Sequence, residues 1–212
     1  MKAFLRAILI LLVLAVIAAG AGYLLWGRGS ELAAVPVPDP ASFPKDQVDK
    51  GADLAAVGDC AVCHTAPGGA VNAGGLGLQT PFGTVYSTNI TPDAATGIGT
   101  WSLEAFIRAM RQGLDRQGNH LYPVFPYDHF AKVTDEDLTA IYAFLMSKPA
   151  TQQAPTPNGL RFPFNIRPLL AGWKFLYLKQ GLFAPDPKLT DEQNRGAYLV
   201  NGPGHCSECH SP

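Results

Sequence analysis

Two short segments carry residues whose types and spacing support chemistry: Cys60-Ala61-Val62-Cys63-His64 and Cys206-Ser207-Glu208-Cys209-His210. Both read Cys-x-x-Cys-His, the attachment pattern for a c-type haem. Two intervening residues put both sulfurs on one helical turn, where they can form thioethers to the two vinyl groups. The histidine that follows lies under the iron and supplies a proximal imidazole. Its other ring nitrogen is expected to donate to a carbonyl, which fixes the tautomer; a backbone carbonyl near Pro81 is the expected acceptor. The four cysteines of the chain are all used this way.

Other uses of these residues fit less well. A thioredoxin-like redox site also uses Cys-x-x-Cys, but it needs no following histidine and sits in a βαβ context that this chain lacks. A zinc site wants further ligands at metal spacing, although pairing the two clusters would supply them. Two structural disulfides suit an exported protein but leave the histidines unexplained. The duplication of the whole pattern favours haem c, with one haem in the complete domain and a second in the full-length protein.

The elements that position the motifs begin with an internal repeat. KGADLAAVGDCAVCHT (residues 50–65) matches RGAYLVNGPGHCSECHS (195–211) with one inserted residue, pairing Gly51 with Gly196 and Cys60 with Cys206. The second copy stops two residues after its motif, so the chain reads as a piece of a longer protein. Residues 45–57 look helical. Ser102 caps a helix with the stripe Leu103, Phe106, Ile107 and Met110 that ends near Gly113. Thr134 with Asp137, and Thr190 with Gln193, read as capping boxes. Residues 65–100 read as a long functional loop.

Ahead of these elements lies an uncharged apolar run of 20 residues, Ala7 to Trp26. As a helix it spans roughly 30 Å, the thickness of a bilayer core. Lys2 and Arg6 precede it, so the N-terminus is expected in the cytoplasm. Tyr23, Trp26 and Arg28 then suit the far interface. A cleaved signal peptide with Ala19-Gly20-Ala21 at its cleavage site is the alternative. In either case the rest of the chain is exported. The expected organisation is an anchor (1–28), a proline-rich tether (29–43) holding the domain off the membrane, and a haem domain (44–150). A connector (151–188) that packs on a neighbour follows, then the start of a second haem domain (189–212). The fold class is all-α: a transmembrane helix, a cytochrome c-like domain and the opening of another. Charged residues make up 16% of the chain and the net charge is -1, which excludes a large basic nucleic-acid footprint.

A haem also needs an apolar pocket. Tyr86, Ile98, Trp101, Phe106, Leu114, Tyr122 and Phe125 are the expected lining, with Ser87, Thr88 and Asn89 as propionate donors. His205, beside Cys206, reads as a surface residue.

Residues 80–113 (TPFGTVYSTNITPDAATGIGTWSLEAFIRAMRQG), 120–127 (HLYPVFPY), 134–145 (TDEDLTAIYAFL) and the connector FPFNIRPLLAGW carry a more specific signal. Over residues 44–212 the chain resembles the multihaem cytochrome c subunits of membrane-bound periplasmic dehydrogenases, the alcohol, gluconate, aldehyde and N-heteroaromatic type. Such subunits have three cytochrome c domains in tandem. In many of them the segment matching residues 122–126 reads Tyr-Pro-x-Met-Pro, with the methionine as distal haem ligand. Here Phe125 occupies that place and cannot bind iron. The resemblance leaves His129, His120, Met110, Met146 or an open site, with His129 preferred; the methionines also suit helix packing.

The resemblance implies an electron carrier, not a catalyst. A partner dehydrogenase subunit would oxidise its substrate in the periplasm, and electrons would pass through the haems to the quinone pool or a terminal oxidase. The protein would sit in the inner membrane by a single pass with its soluble part in the periplasm. The rivals are a cytochrome subunit of a respiratory oxidase or a free-standing carrier, a thiol–disulfide or metal-binding module, and a haem peroxidase or gas sensor.

Overall fold

A computed structural model of the chain describes residues 2–27 and 29–210. The side chains of Tyr23 and Trp26, and residue Arg28, expected at the far membrane interface, lie outside what is described, as does the side chain of Cys209. The first element, α1 (Lys2–Trp26), contains the apolar stretch Phe4–Gly22, with mean hydropathy 2.7 and none of it buried against the rest of the protein. By length and composition it is able to cross a membrane.

The haem-motif domain is built on two crossed helices, α2 (Lys45–Val57) and α6 (Asp135–Met146). Their contact is set by Gly51: a Cβ there would lie 1.9 Å from the Ala140 carbonyl oxygen and 2.8 Å from Phe144 Cβ. Leu54 on α2 and Leu138, Ile141, Tyr142, Leu145 and Met146 on α6 fill the core behind this crossing. Helix α4 (Leu103–Gln112) packs Phe106 and Met110 into the same core. Its ends follow the expected chemistry. Ser102 Oγ accepts from the Ala105 amide at 3.1 Å, and Gly113 closes the helix in the left-handed region (φ 58), where Tyr127 leaves no room for a Cβ.

Between these helices, α3 (Cys60–Cys63) carries the first motif and α5 (Tyr127–Phe130) carries His129. The all-α expectation holds in part: the fold is mostly helical and also carries a small three-stranded sheet. Strands β1 (Gly77–Thr80) and β2 (Gly83–Tyr86) form an antiparallel hairpin with Leu78 opposite Val85, and β3 (Gly159–Leu160) adds to β2. The hairpin lies inside the stretch read as loop. Its strands are four residues long, too short to show an alternating pattern.

The tether also differs from expectation. Its first half is bonded to the domain: the amides of Gly29, Leu32 and Val35 donate to the carbonyls of Gly118, Arg116 and Thr100 at 2.8, 2.9 and 3.0 Å. Arg108 and Arg116 return bonds to the carbonyls of Ser30 and Leu32 at 2.7 and 3.0 Å. An extended strip has backbone groups to satisfy, and the segments on either side of α4 supply the partners. The strip is therefore tied to the folded part from the third residue after α1.

The connector contains α7 (Leu170–Tyr177), which packs Trp173 against Tyr127 with ring centroids 5.9 Å apart. The second copy of the repeat forms α8 (Asp191–Asn201) and α9 (Ser207–His210). The Thr190–Gln193 capping box is complete in both directions, at 3.2 and 2.9 Å. At α6 only half of the expected box forms. Thr134 Oγ1 accepts from the Asp137 amide, but the Asp137 carboxylate is drawn to Lys50 on α2 (2.7 Å) and the Tyr198 hydroxyl on α8 (2.6 Å). Burial alone pushes this carboxyl up, yet those two bonds outweigh it and hold Asp137 below its ordinary value. One buried carboxylate thus joins α2, α6 and α8.

Candidate functional site: two Cys-x-x-Cys-His motifs

The first motif is delivered by a sharp change of direction after α2. Gly58 closes α2, Asp59 takes a left-handed conformation (φ 51), and α3 then starts at Cys60. The His64 amide donates to the Cys60 carbonyl at 2.9 Å, so the histidine follows the cysteines on the same turn. Cys60 and Cys63 are both free thiols.

The orientation of His64 is set from outside the motif. Its Nδ1 lies 2.6 Å from the Thr88 carbonyl oxygen. The expected acceptor near Pro81 is thereby corrected to Thr88. Gly74 makes this possible. Its amide donates to the His64 carbonyl at 2.7 Å, its φ is 78, and a Cβ there would lie 2.5 Å from the Thr88 carbonyl carbon. Only glycine lets residues 87–89 come this close to the motif. Burial pushes the His64 pKa down, partly opposed by the Thr88 bond, so the ring is neutral. With Nδ1 donating, the lone pair is left on Nε2.

The cysteine environment separates the rival chemistries. Burial, reinforced by the charge of Cys63, pushes the Cys60 thiol up to about 12, and burial raises Cys63 as well. A thiol–disulfide catalyst needs a lowered thiol pKa. Two cysteines on one turn, followed by a neutral imidazole whose lone pair is on Nε2, fit a covalently held haem. Ile98, Phe106 and Met110 are buried in the adjoining core, and Trp101 and Phe125 pack against it. Leu114, Tyr122 and Tyr86 are half-buried. A cavity of about 680 Å³ opens beside Cys60, walled by Ala52, Ala55, Val71 and Phe144; His64 does not line it.

Two expected roles move. Asn89 is buried, and its Nδ2 donates to Thr96 Oγ1 (3.0 Å) and the Thr151 carbonyl (2.7 Å), while its Oδ1 accepts from Thr91. Both amide hydrogens are spent on pinning the loop, so Asn89 is not a propionate donor here. His129 is buried, but its nitrogens face the second motif: Nε2 lies 2.8 Å from Ser207 Oγ, and Nδ1 lies 3.0 Å from Glu208 and 3.3 Å from Asp128. Neither nitrogen is presented to the first motif in this conformation. Met110 and Met146 are core residues, and His120 is buried in the loop after α4, bridged to Leu114.

The two motifs meet at their approaches. A Cβ on Gly58 would be 3.2 Å from the Pro203 carbonyl, and one on Gly204 would be 3.5 Å from Val57. His205, read as a surface residue, stacks edge-on against Phe130 with ring centroids 5.8 Å apart. The second motif repeats the local turn, with the His210 amide donating to the Cys206 carbonyl at 3.1 Å. Cys206 and His210 are exposed.

Gly74 and the carbonyl of Thr88 were missed by sequence reasoning. The pair Gly74-Gly75 was the available signal, but nothing local says which carbonyl it brings to His64.

Comparison with known proteins agrees with this geometry. Residues 48–149 match the cytochrome c family. The chain is 56% identical over 184 residues to a nicotinate dehydrogenase subunit of Pseudomonas putida, covering 86% of this chain and 15% of that one. It is 42% identical over 188 residues to the fructose dehydrogenase cytochrome subunit of Gluconobacter japonicus, covering 87% and 39%. It is 40% identical over 176 residues to a diheme cytochrome c-type protein of Cereibacter sphaeroides, covering 78% and 57%. The chain thus spans between about a seventh and somewhat over half of the length of these relatives. The chain is thus similar to cytochromes c and to the cytochrome c subunits of dehydrogenase complexes, and its two Cys-x-x-Cys-His motifs suit the same haem c chemistry.

Proposed function

We propose that this chain is part of a membrane-anchored multihaem cytochrome c that takes electrons from a partner dehydrogenase in the periplasm and delivers them to the quinone pool or a terminal oxidase. Cys60 and Cys63 hold the first haem and His64 is its proximal ligand; Cys206, Cys209 and His210 do the same for a second. The haem supplies one-electron redox chemistry when bound. The chain's own residues do the rest. The Thr88 carbonyl keeps the His64 tautomer, and Gly74 keeps the carbonyl in place. The core around Phe106 and Trp101 keeps water from the crevice, and α1 holds the domain at the bilayer.

One observation carries this reading: the two attachment motifs dock approach to approach, Gly58 against Pro203 and Val57 against Gly204. A second attachment motif packed on the first suits a relay of haems better than a single-haem carrier. The greater identity to the nicotinate dehydrogenase subunit makes a dehydrogenase of that kind the first partner to test.

The test is reduction by a partner. The full chain, matured with haem, is reconstituted in vesicles with the dehydrogenase subunit. Substrate should reduce the haem, read as growth of its alpha band, and added quinone should reoxidise it. Rapid CO binding by the reduced protein without substrate-linked reduction would favour a peroxidase or gas sensor.

A further inference from the structure

Helix α7 is amphipathic the wrong way round for a protein in water. Its one charged residue, Lys174, points into the domain, where it is 9% exposed. The Lys174 ammonium donates to the carbonyls of Gln112 (2.7 Å) and Gly113 (2.6 Å) at the end of α4 and lies 4.9 Å from the Tyr127 ring centroid. Trp173 packs inward with it, whereas Phe175 (88% exposed) and Leu176 (69%) face outward, as does Leu169 (56%) just before the helix. Phe162, Phe164 and Leu182, before and after α7 in the chain, are exposed as well. Monomers rarely show contiguous apolar faces of this kind unless something covers them.

The position of this face says what covers it. The loop after α4 holds both α7 and the exit of α1. Lys174 bonds Gly113, and Arg167, just before α7, lies 3.9 Å from Asp115. In the same loop, the Gly118 carbonyl accepts from the Gly29 amide, and a Cβ on Gly29 would lie 3.0 Å from Leu114. Gly29 follows the last residue of α1 by three positions, a reach of roughly 10 Å at full extension. Most of the connector is also acid-free: residues 151–185 contain Arg161, Arg167, Lys174 and Lys179 and no Asp or Glu, the first acid being Asp186. Outward aromatics flanked by basic residues, on a short helix beside a membrane span, match a lipid interface.

We propose that the outer face of α7, with Phe162 and Phe164, rests on the bilayer that α1 crosses, making the connector a second, in-plane membrane contact. This rests on the reading of α1 as an anchor. The bonded strip at 29–35 gives the domain no slack to stand off, so the lipid contact would fix the orientation of both haem motifs relative to the membrane.

Hydroxyl-radical footprinting of the full chain in phosphatidylethanolamine–phosphatidylglycerol nanodiscs tests it, with each rate normalised to the residue's intrinsic reactivity. Phe175 and Leu176 should oxidise at about one-fifth the rate of exposed Leu189 or less, as an interfacial helix does. The double variant Phe175→Glu, Leu176→Glu should lose the protection at neighbouring Leu169 while keeping the haem spectrum. Oxidation of Phe175 and Leu176 as fast as Leu189, with Leu9 and Ile10 of α1 protected, would overturn the in-plane contact and leave the anchor standing. Oxidation of Leu9 and Ile10 as well would sink the anchor reading and this one with it. Protection of Phe175 that appears only when a dehydrogenase subunit is added would overturn the lipid contact in favour of a protein one.

Discussion

The two copies of the motif share a local conformation and differ in almost everything that surrounds it. In both, a helix is followed by a turn in which the histidine amide bonds the first cysteine carbonyl, at 2.9 and 3.1 Å. At the first copy Gly51 is pressed against α6, and the His64 ring is tied to Thr88. At the second, Gly196 has nothing within 4 Å, and among the described residues no carbonyl holds the exposed His210 ring. Five residues are therefore enough to make an attachment turn. A crevice needs a crossing helix and a loop from elsewhere in the chain.

The largest effect should come from the glycine at the helix crossing. Gly51→Ala should cost about 3 kcal/mol or more by chemical denaturation, because the new methyl meets backbone, which cannot move aside. If it costs less than Gly74→Ala, the crossing is not what makes the first copy rigid. Gly74→Ala should cost about 2 kcal/mol, from a positive φ and a clash with Thr88. It should also raise the first haem's reduction potential in a redox titration, because a His64 ring without its acceptor is a weaker donor to iron.

Asp137→Asn should cost about 1–2 kcal/mol, read as faster hydrogen exchange across α8, because it weakens the bonds to Lys50 and Tyr198 together. Acid should do the same. The folded pKa of Asp137 lies below its ordinary 3.8, so its contribution is whole above that value and is lost as pH falls through the depressed one. Protection in α8, taken relative to the intrinsic amide rate at each pH, should be flat from pH 7 to 5 and fall below about 4. His129→Ala should leave the first haem's spectrum unchanged, and a changed first-haem spectrum would return His129 to the first iron. The smallest effect is at Gly196→Ala, which should stabilise α8 by about 0.5–1 kcal/mol through helix propensity alone. A loss instead would mean that Gly196, like Gly51, meets a packed neighbour.

Much of the site was legible because its chemistry is local. The spacing of Cys60, Cys63 and His64 lies within one turn, and the caps at Ser102, Thr134 and Thr190 act within three residues. The haem-domain helices were readable from these caps and from apolar stripes. What escaped was set over longer distances. The hairpin at 77–86 is too short for a pattern, and the Thr88 carbonyl is 24 positions from His64. Asn89 had the right chemistry for a propionate and the wrong neighbours. Phe125 announced the loss of a family ligand, but the sequence put His129 at the first iron, and the fold turned it toward Ser207 and Glu208.

Taken by itself, the sequence determined that this protein carries two haem-attachment motifs, has a helix long and apolar enough to cross a bilayer, and repeats the segment around its first motif. These are consequences of residue type and short spacing, which no distant contact can alter. Only the tertiary structure decided which carbonyl orients His64, that the supposed tether is stitched to the domain, and that Lys174 faces inward while Phe175 faces out. Each of those depends on which backbone groups remain unsatisfied once the chain has folded, and no local pattern records that.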